Sequence, residues 1–193
     1  MKFNNETLRA ALEEWLDDDK KAETIHGHIS NWDVSEVTDM STLFWNLTTW
    51  LGCESFNQPI GDWDVSNVTN MDNMFENIKT FNQPIGNWDV SSVTTMNSMF
   101  SGAYNFNQPI GDWDVSNVTD MYGMFYATNF NQPISSWDVS NVTTMNKMFQ
   151  GANAFNQNLS SWSVDGVTSC SSFSDGAPQW TLPKPNFTNC DPN

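Results

Sequence analysis

One short word recurs through most of this chain and limits what it can fold into more than any other feature. The string W-D-V-S begins at Trp32, Trp63, Trp88, Trp113 and Trp137, and a degenerate copy, W-S-V-D, begins at Trp162. Successive tryptophans lie 31, 25, 25, 24 and 25 residues apart, and a second word, F-N-Q, starting at Phe56, Phe81, Phe106, Phe130 and Phe155, keeps the 25, 25, 24, 25 rhythm. Self-similarity at a fixed period means that each copy is a unit too small to bury its own apolar face, so copies must stack. The long first interval marks an insertion near residues 45–55, and the single short one a deletion near Ala127 and Thr128.

Within one copy the apolar positions are Ile60, Trp63, Val65, Val68, Met71, Met74 and Phe75, followed by Phe81. Trp63 and Val65 are two apart, so the W-D-V-S word reads as a short strand with Trp and Val inward and the aspartates and serine outward. Met71, Met74 and Phe75 then sit at i, i+3 and i+4, which is helical or 3₁₀ spacing, while Pro59 and Gly61 punctuate the return. The expected fold is therefore an α/β solenoid of the leucine-rich-repeat class: a right-handed coil of six turns, with a short parallel sheet on one face and helical turns on the other. Residues 29–175 would form the coils. Residues 1–28 would supply a cap, a helix over roughly residues 5–17 that Asn5 N-caps and that turns Leu8, Leu12, Trp15 and Leu16 to one face. Residues 176–193, too rich in proline for a helix, would fold over the last coil. Cys170 occupies the inward position of Met71 in its copy, so Cys190 can return to it in a disulfide, whereas Cys53, some five coils away, is expected to be free.

These repeat words, I-x-x-W-x-V-x-x-V-x-x-M-x-x-M-F with F-N-Q-P-I opening each copy, resemble those of the BspA-like leucine-rich-repeat surface proteins across residues 24–175. The resemblance implies a surface-displayed or extracellular protein that adheres to or binds a protein or matrix ligand. The sequence departs from that pattern in using Trp and Met where Leu and Ile are common.

Composition narrows the partners. Twenty-three acidic residues against seven basic ones give a formal charge of −16, which repels phosphate backbones and anionic membranes. Nucleic acid is excluded as a partner, and a basic one is favoured. No apolar run approaches the ~20 residues that span a bilayer, and the N-terminus lacks the basic-then-apolar pattern of a secretory signal. A monomer is expected.

Stacking turns each sequence position into a row of side chains about 4.8 Å apart. The first row is acidic: Asp33, Asp64, Asp89, Asp114 and Asp138, accompanied by Asp62 and Asp112 two residues earlier in their copies. Neighbouring carboxylates at that spacing repel by about 1 kcal/mol in a water-like dielectric. Three readings answer this repulsion: hydrogen bonds from the following serines, Ca²⁺ ions bridging adjacent carboxylates, or a basic partner docking on the strip. The second row contains Thr69, Thr94, Thr119 and Thr143. Each threonine either caps the helical turn that follows it or contributes to an ice- or water-ordering surface. A third row, Asn57, Asn82, Asn107, Asn131 and Asn156, reads as an inward ladder that satisfies backbone groups. The six repeat tryptophans belong to the core, which leaves Trp45 and Trp50 in the insertion as a candidate contact patch. Sequons at Asn67, Asn117 and Asn141 are repeat words and say little about glycosylation.

Nothing in the sequence suggests catalysis. His26 and His28 stand beside neither a cysteine nor a serine elbow, and no nucleotide, zinc-protease or hydrolase motif occurs. A row of identical carboxylates also lacks the asymmetry that sets a catalytic group apart from its neighbours. The expected role is a non-enzymatic binding module with the acidic face as its contact surface, the alternatives being a water-ordering surface and a structural spacer.

Overall fold

In a computed structural model, which describes residues 2–45 and 55–193, the repeat does not form strands. Each coil is a chain of tight turns. In the coil that carries Trp63, the N–H of Trp63 donates to the Ile60 carbonyl (3.1 Å), Val68 to Val65 (2.9 Å), Met74 to Met71 (3.3 Å) and Ile78 to Phe75 (3.1 Å). Two residues in this coil are left-handed, Asn73 (φ 56°) and Asn77 (φ 60°), and the same two places are left-handed at Ser98 and Gly102, Gly123 and Ala127, Lys147 and Gly151, and Ser172 and Gly176.

The expected α/β solenoid with a parallel sheet and helical turns is therefore corrected. Among the described residues β-pairing is limited to isolated parallel bridges: Lys2 to Asp33 at the N-terminal end, then Asp39 to Asn70, Asn70 to Thr95, Thr95 to Asp120, Asp120 to Thr144 and Thr144 to Ser169. Among the described residues the two α-helices with defined bounds lie at the N-terminus, and Trp45 in the insertion is the one other α-helical residue. The W-x-V alternation does place Trp63 and Val65 inside and Asp62 and Asp64 outside, but turn geometry produces it. The physical reason lies in the polar members of the word. The Asp64 carboxylate accepts the Ser66 N–H two residues on (3.2 Å), and such local side-chain bonds offer the backbone an alternative to a ladder.

Two sets of backbone hydrogen bonds tie coil to coil, and they run in opposite directions. In the first, each threonine N–H donates to the threonine carbonyl of the coil before it: Thr69 to Thr38, Thr94 to Thr69 and Thr119 to Thr94, each 2.9 Å. In the second, the earlier coil donates to the later one: Met71 to Thr95 (3.1 Å), Asn73 to Asn97 (2.7 Å), Phe75 to Met99 (2.9 Å) and Asn77 to Ser101 (2.7 Å).

Inside, aromatic rings stack along the axis. Phe75, Phe100 and Phe125 follow one another at 5.6 and 5.9 Å between centroids, nearly parallel, and Phe81, Phe106 and Phe130 at 6.0 Å. Each buried repeat indole needs a partner for its N–H, and finds it one coil back: Trp88 donates to the Ile60 carbonyl and Trp113 to that of Ile85. The coils pack so closely at the P-I-G turn that a Cβ on Gly86 would lie 2.4 Å from the Pro109 carbonyl oxygen. Only glycine fits that approach.

Helix α1 (Asn5–Asp17) and helix α2 (Asp19–His26) close the N-terminal end. The N-cap is Asn4, not Asn5: its Oδ1 accepts the Glu6 and Thr7 N–H groups while Thr7 Oγ1 accepts the Asn4 N–H, completing a capping box. Asn5 does something else. Its Oδ1 accepts the N–H groups of Thr38 (2.9 Å) and Asp39 (3.2 Å), replacing the coil that would otherwise precede. Leu8, Leu12 and Trp15 are buried against the first coil, with Trp15 edge-on to Trp32 at 5.8 Å. At the other end Trp180 meets Phe149 and Phe155 edge-on, and the Cys170–Cys190 disulfide forms, with a Cα separation of 5.8 Å.

Candidate functional site

The acidic row is exposed, and its carboxylates are held by their own turns. Ser35, Ser66, Ser91 and Ser116 donate their hydroxyls to Asp33, Asp64, Asp89 and Asp114, each at 2.6 Å, and Ser140 gives its N–H to Asp138 (3.0 Å). The Ser91 hydroxyl, and after it the Ser91 N–H, holds the Asp89 carboxyl below the usual carboxylate range, as Ser35 does for Asp33; Asp138, beside Ser140, is likewise lowered. Every one of these bonds ends on Oδ1. Asp62 and Asp112 are exposed beside the row. Among the described residues no group of three or more His, Cys, Asp or Glu side chains is placed to hold a metal ion, and the serine hydrogen bonds are the interaction the row displays.

The threonine row is exposed too, but its role differs from capping. Thr69, Thr94, Thr119 and Thr143 donate their hydroxyls back to the threonine carbonyl of the preceding coil, at 3.2, 3.1, 3.2 and 3.1 Å. The hydroxyl protons are thereby committed within the stack rather than to ordered water. The asparagine row lies at the surface rather than inward, because its partner is the edge of the next coil. Asn57 Oδ1 accepts the Asn82 N–H (2.9 Å), Asn82 that of Asn107 (3.0 Å), Asn107 that of Asn131 (2.8 Å) and Asn131 that of Asn156 (2.9 Å). The sequon asparagines Asn67, Asn117 and Asn141 spend Nδ2, the atom a glycan would occupy, on the Ser35, Ser91 and Ser116 carbonyls. In the insertion, Trp45 is partly exposed; Trp50 and Cys53 lie outside the described residues.

A second surface carries no repeated word. The variable positions of M-x-x-M-F-x read D-N-E from Asp72, N-S-S from Asn97, Y-G-Y from Tyr122 and N-K-Q from Asn146, so they differ from coil to coil where the other rows repeat. These positions line a cleft of about 190 Å³ formed by Glu76, Ser98, Ser101, Tyr122, Gly123, Tyr126 and Lys147. The Lys147 ammonium lies 5.9 Å from the Tyr122 ring centroid, Tyr126 is 41% exposed, and burial pushes the Glu76 carboxyl up. Nearby, burial also raises Asp120, against the Tyr122 N–H that lowers it, and with help from the charge of Asp72. The signal available in the sequence was the departure from the repeat, not any motif.

Comparison with known proteins adds a family and no activity. The sequence model of the family described as "Mycoplasma protein of unknown function, DUF285" matches residues 12–127, 47–162 and 109–188. No curated protein and no solved structure matches the chain.

Proposed function

The chain belongs to that family, DUF285, and from this premise we propose that it is a non-enzymatic binding module, displayed outside the cell, that engages a basic partner through its acidic face. The observation that carries the reading is the registered row of exposed aspartates, each fixed by a serine on Oδ1. A carboxylate fixed in advance loses little rotamer freedom on binding, and a row of them steers a cationic partner over long range. Ionisation is secured by the turns themselves, since the serines keep Asp33 and Asp89 easily deprotonated. The resemblance of the repeat words to BspA-like surface proteins and the Cys170–Cys190 disulfide, which suits an oxidising compartment, support the location. Regularity supports the absence of catalysis, because no aspartate of the row is set apart from its neighbours.

The test is binding of a fluorescent oligolysine peptide at low and high salt. Asp64→Asn/Asp89→Asn/Asp114→Asn should weaken binding far more than the charge-matched Asp17→Asn/Asp19→Asn/Glu23→Gln in the helical cap. Equal losses from the two variants would reduce the effect to net charge and defeat the reading.

A further inference from the structure

Identical rows give every coil the same chemistry, so they cannot by themselves distinguish one ligand from another at a single point. Specificity requires a place where the copies differ. In this chain the differences gather on the M-x-x-M-F-x positions, and there the coils that carry Tyr122 and Lys147 bring two of the chain's three tyrosines together with a lysine, a glutamate and two serines. The coil with Tyr122 and Tyr126 is also the one shortened by a residue, and Thr128, which follows, is buried with its hydroxyl on the Phe125 carbonyl (3.1 Å).

We infer that the cleft lined by Glu76, Ser98, Ser101, Tyr122, Tyr126 and Lys147 binds a neutral saccharide, one ring at a time. Four observations carry this. The cleft, about 190 Å³, is smaller than the ~300–1,000 Å³ of sites for drug-sized molecules, so it holds a single ring. Its lining carries one ammonium and one carboxylate, whose formal charges sum to zero, and with the Ser98 hydroxyl given to Asn97 Oδ1 (2.8 Å) the tyrosine hydroxyls, Lys147 and Glu76 supply the donors and the acceptor for ligand hydroxyl groups. Tyr126 offers a ring that is 41% exposed, an apolar plate with a polar tip of the kind suited to the C–H face of a sugar. Finally, the half-buried Glu76 has no salt bridge among the described residues, so its carboxyl remains available to ligand hydroxyls. The lysine that could have paired with it sits instead over Tyr122, bracing that ring.

This inference is independent of the acidic-face reading, and one experiment separates them. Tyrosine ring resonances, assigned by Tyr→Phe substitution, are followed by NMR during titration with the methyl glycosides of glucose, galactose, mannose and N-acetylglucosamine. Saturable shifts confined to Tyr122 and Tyr126 are expected with at least one glycoside at millimolar concentration. Affinity should fall about tenfold in Tyr126→Ala and also fall in Glu76→Gln, with melting temperatures confirming that both variants fold. Asp64→Asn/Asp89→Asn/Asp114→Asn should leave the titration unchanged. Silence of both tyrosines with all four glycosides, or shifts that survive Tyr126→Ala, would overturn the inference.

Discussion

The two ends of the stack face the same problem and solve it with different parts. Each end exposes a cross-section of aromatic core and a set of backbone groups that the missing coil would have bonded. At the N-terminal end a short extended lead pairs with the first coil, the Phe3 N–H donating to the Asp33 carbonyl (2.8 Å), and a helix does the rest of the closing. Its own backbone is satisfied internally, so it must use side chains: Asn5 Oδ1 takes the Thr38 and Asp39 N–H groups, Arg9 Nη2 donates to the Ser41 carbonyl (2.7 Å), and Trp15 covers Trp32. At the C-terminal end an irregular strap does it, and there the backbone itself is available. The Pro183 carbonyl accepts the Leu159 N–H (2.9 Å) and the Pro192 carbonyl that of Phe173 (3.0 Å). A strap has no internal ladder to hold its shape, so a disulfide pins it. The difference teaches that a cap can be ordered by itself or by a covalent tie, and that this choice decides which of its groups reach the stack.

The largest effect should come from removing either covering tryptophan. Trp15→Ala and Trp180→Ala each delete a buried ring, 5% and 6% exposed, and each should cost about 3–5 kcal/mol in denaturant unfolding. The comparison breaks if reductant does not separate them: it should deepen the loss in Trp180→Ala and leave the increment from Trp15→Ala unchanged. Next, Cys170→Ala/Cys190→Ala opens a tie between residues 20 apart and should cost about 3 kcal/mol, with hydrogen exchange rising in the strap and not in α1. Asn5→Ala strands two backbone N–H groups and should cost about 1 kcal/mol, reported by faster exchange of the Thr38 and Asp39 amides.

A smaller change of opposite sign is expected from Thr42→Gly, because a β-branched residue at φ 56° is strained in the left-handed region. It should raise the melting temperature by an amount equivalent to ~1 kcal/mol or less, and more than Ser172→Gly does at the other end. The smallest effect concerns pH. Asp33, Asp89 and Asp138 titrate lower in the folded chain than in the unfolded one. The stability they contribute is present above the unfolded carboxylate pKa and is lost as pH falls through their folded values. Glu76 and Asp120, whose pKa values are raised, act oppositely and lose stability as pH rises from the unfolded pKa through the folded one. Ser91→Ala should therefore lower the melting temperature at neutral pH, and the deficit should shrink as acid protonates Asp89.

Much of this was legible in the words themselves. The inward set of Trp63, Val65, Val68, Met71, Met74 and Phe75 and the outward set of Asp62 and Asp64 follow from the pattern alone, and so does the pairing of Cys170 with Cys190. Strand and turn are not separable in the sequence, because Trp-x-Val spacing is shared by a strand and by a turn that points two side chains inward; the aspartate–serine bond that chooses between them is too local to leave a periodic trace. Asn4 and Asn5 are both competent N-caps in the sequence, and only the contact between Asn5 and Thr38 leaves Asn4 as the one that caps. The role of the threonine row is hidden in the sequence for a similar reason. Its partner is a carbonyl about 25 residues earlier in the chain, as for Thr94 and Thr69, which no local rule anticipates.

The sequence by itself determined that the copies repeat, which side chains enter the core and that the chain is strongly acidic, because period and polarity are properties of the chain read alone. Only the tertiary structure decided that the coils are built of turns, which atom of each polar row is spent on a neighbouring coil, and that Glu76, Tyr122, Tyr126 and Lys147 share one cleft. Those outcomes depend on what lies one coil away, and that distance is set by packing rather than by sequence.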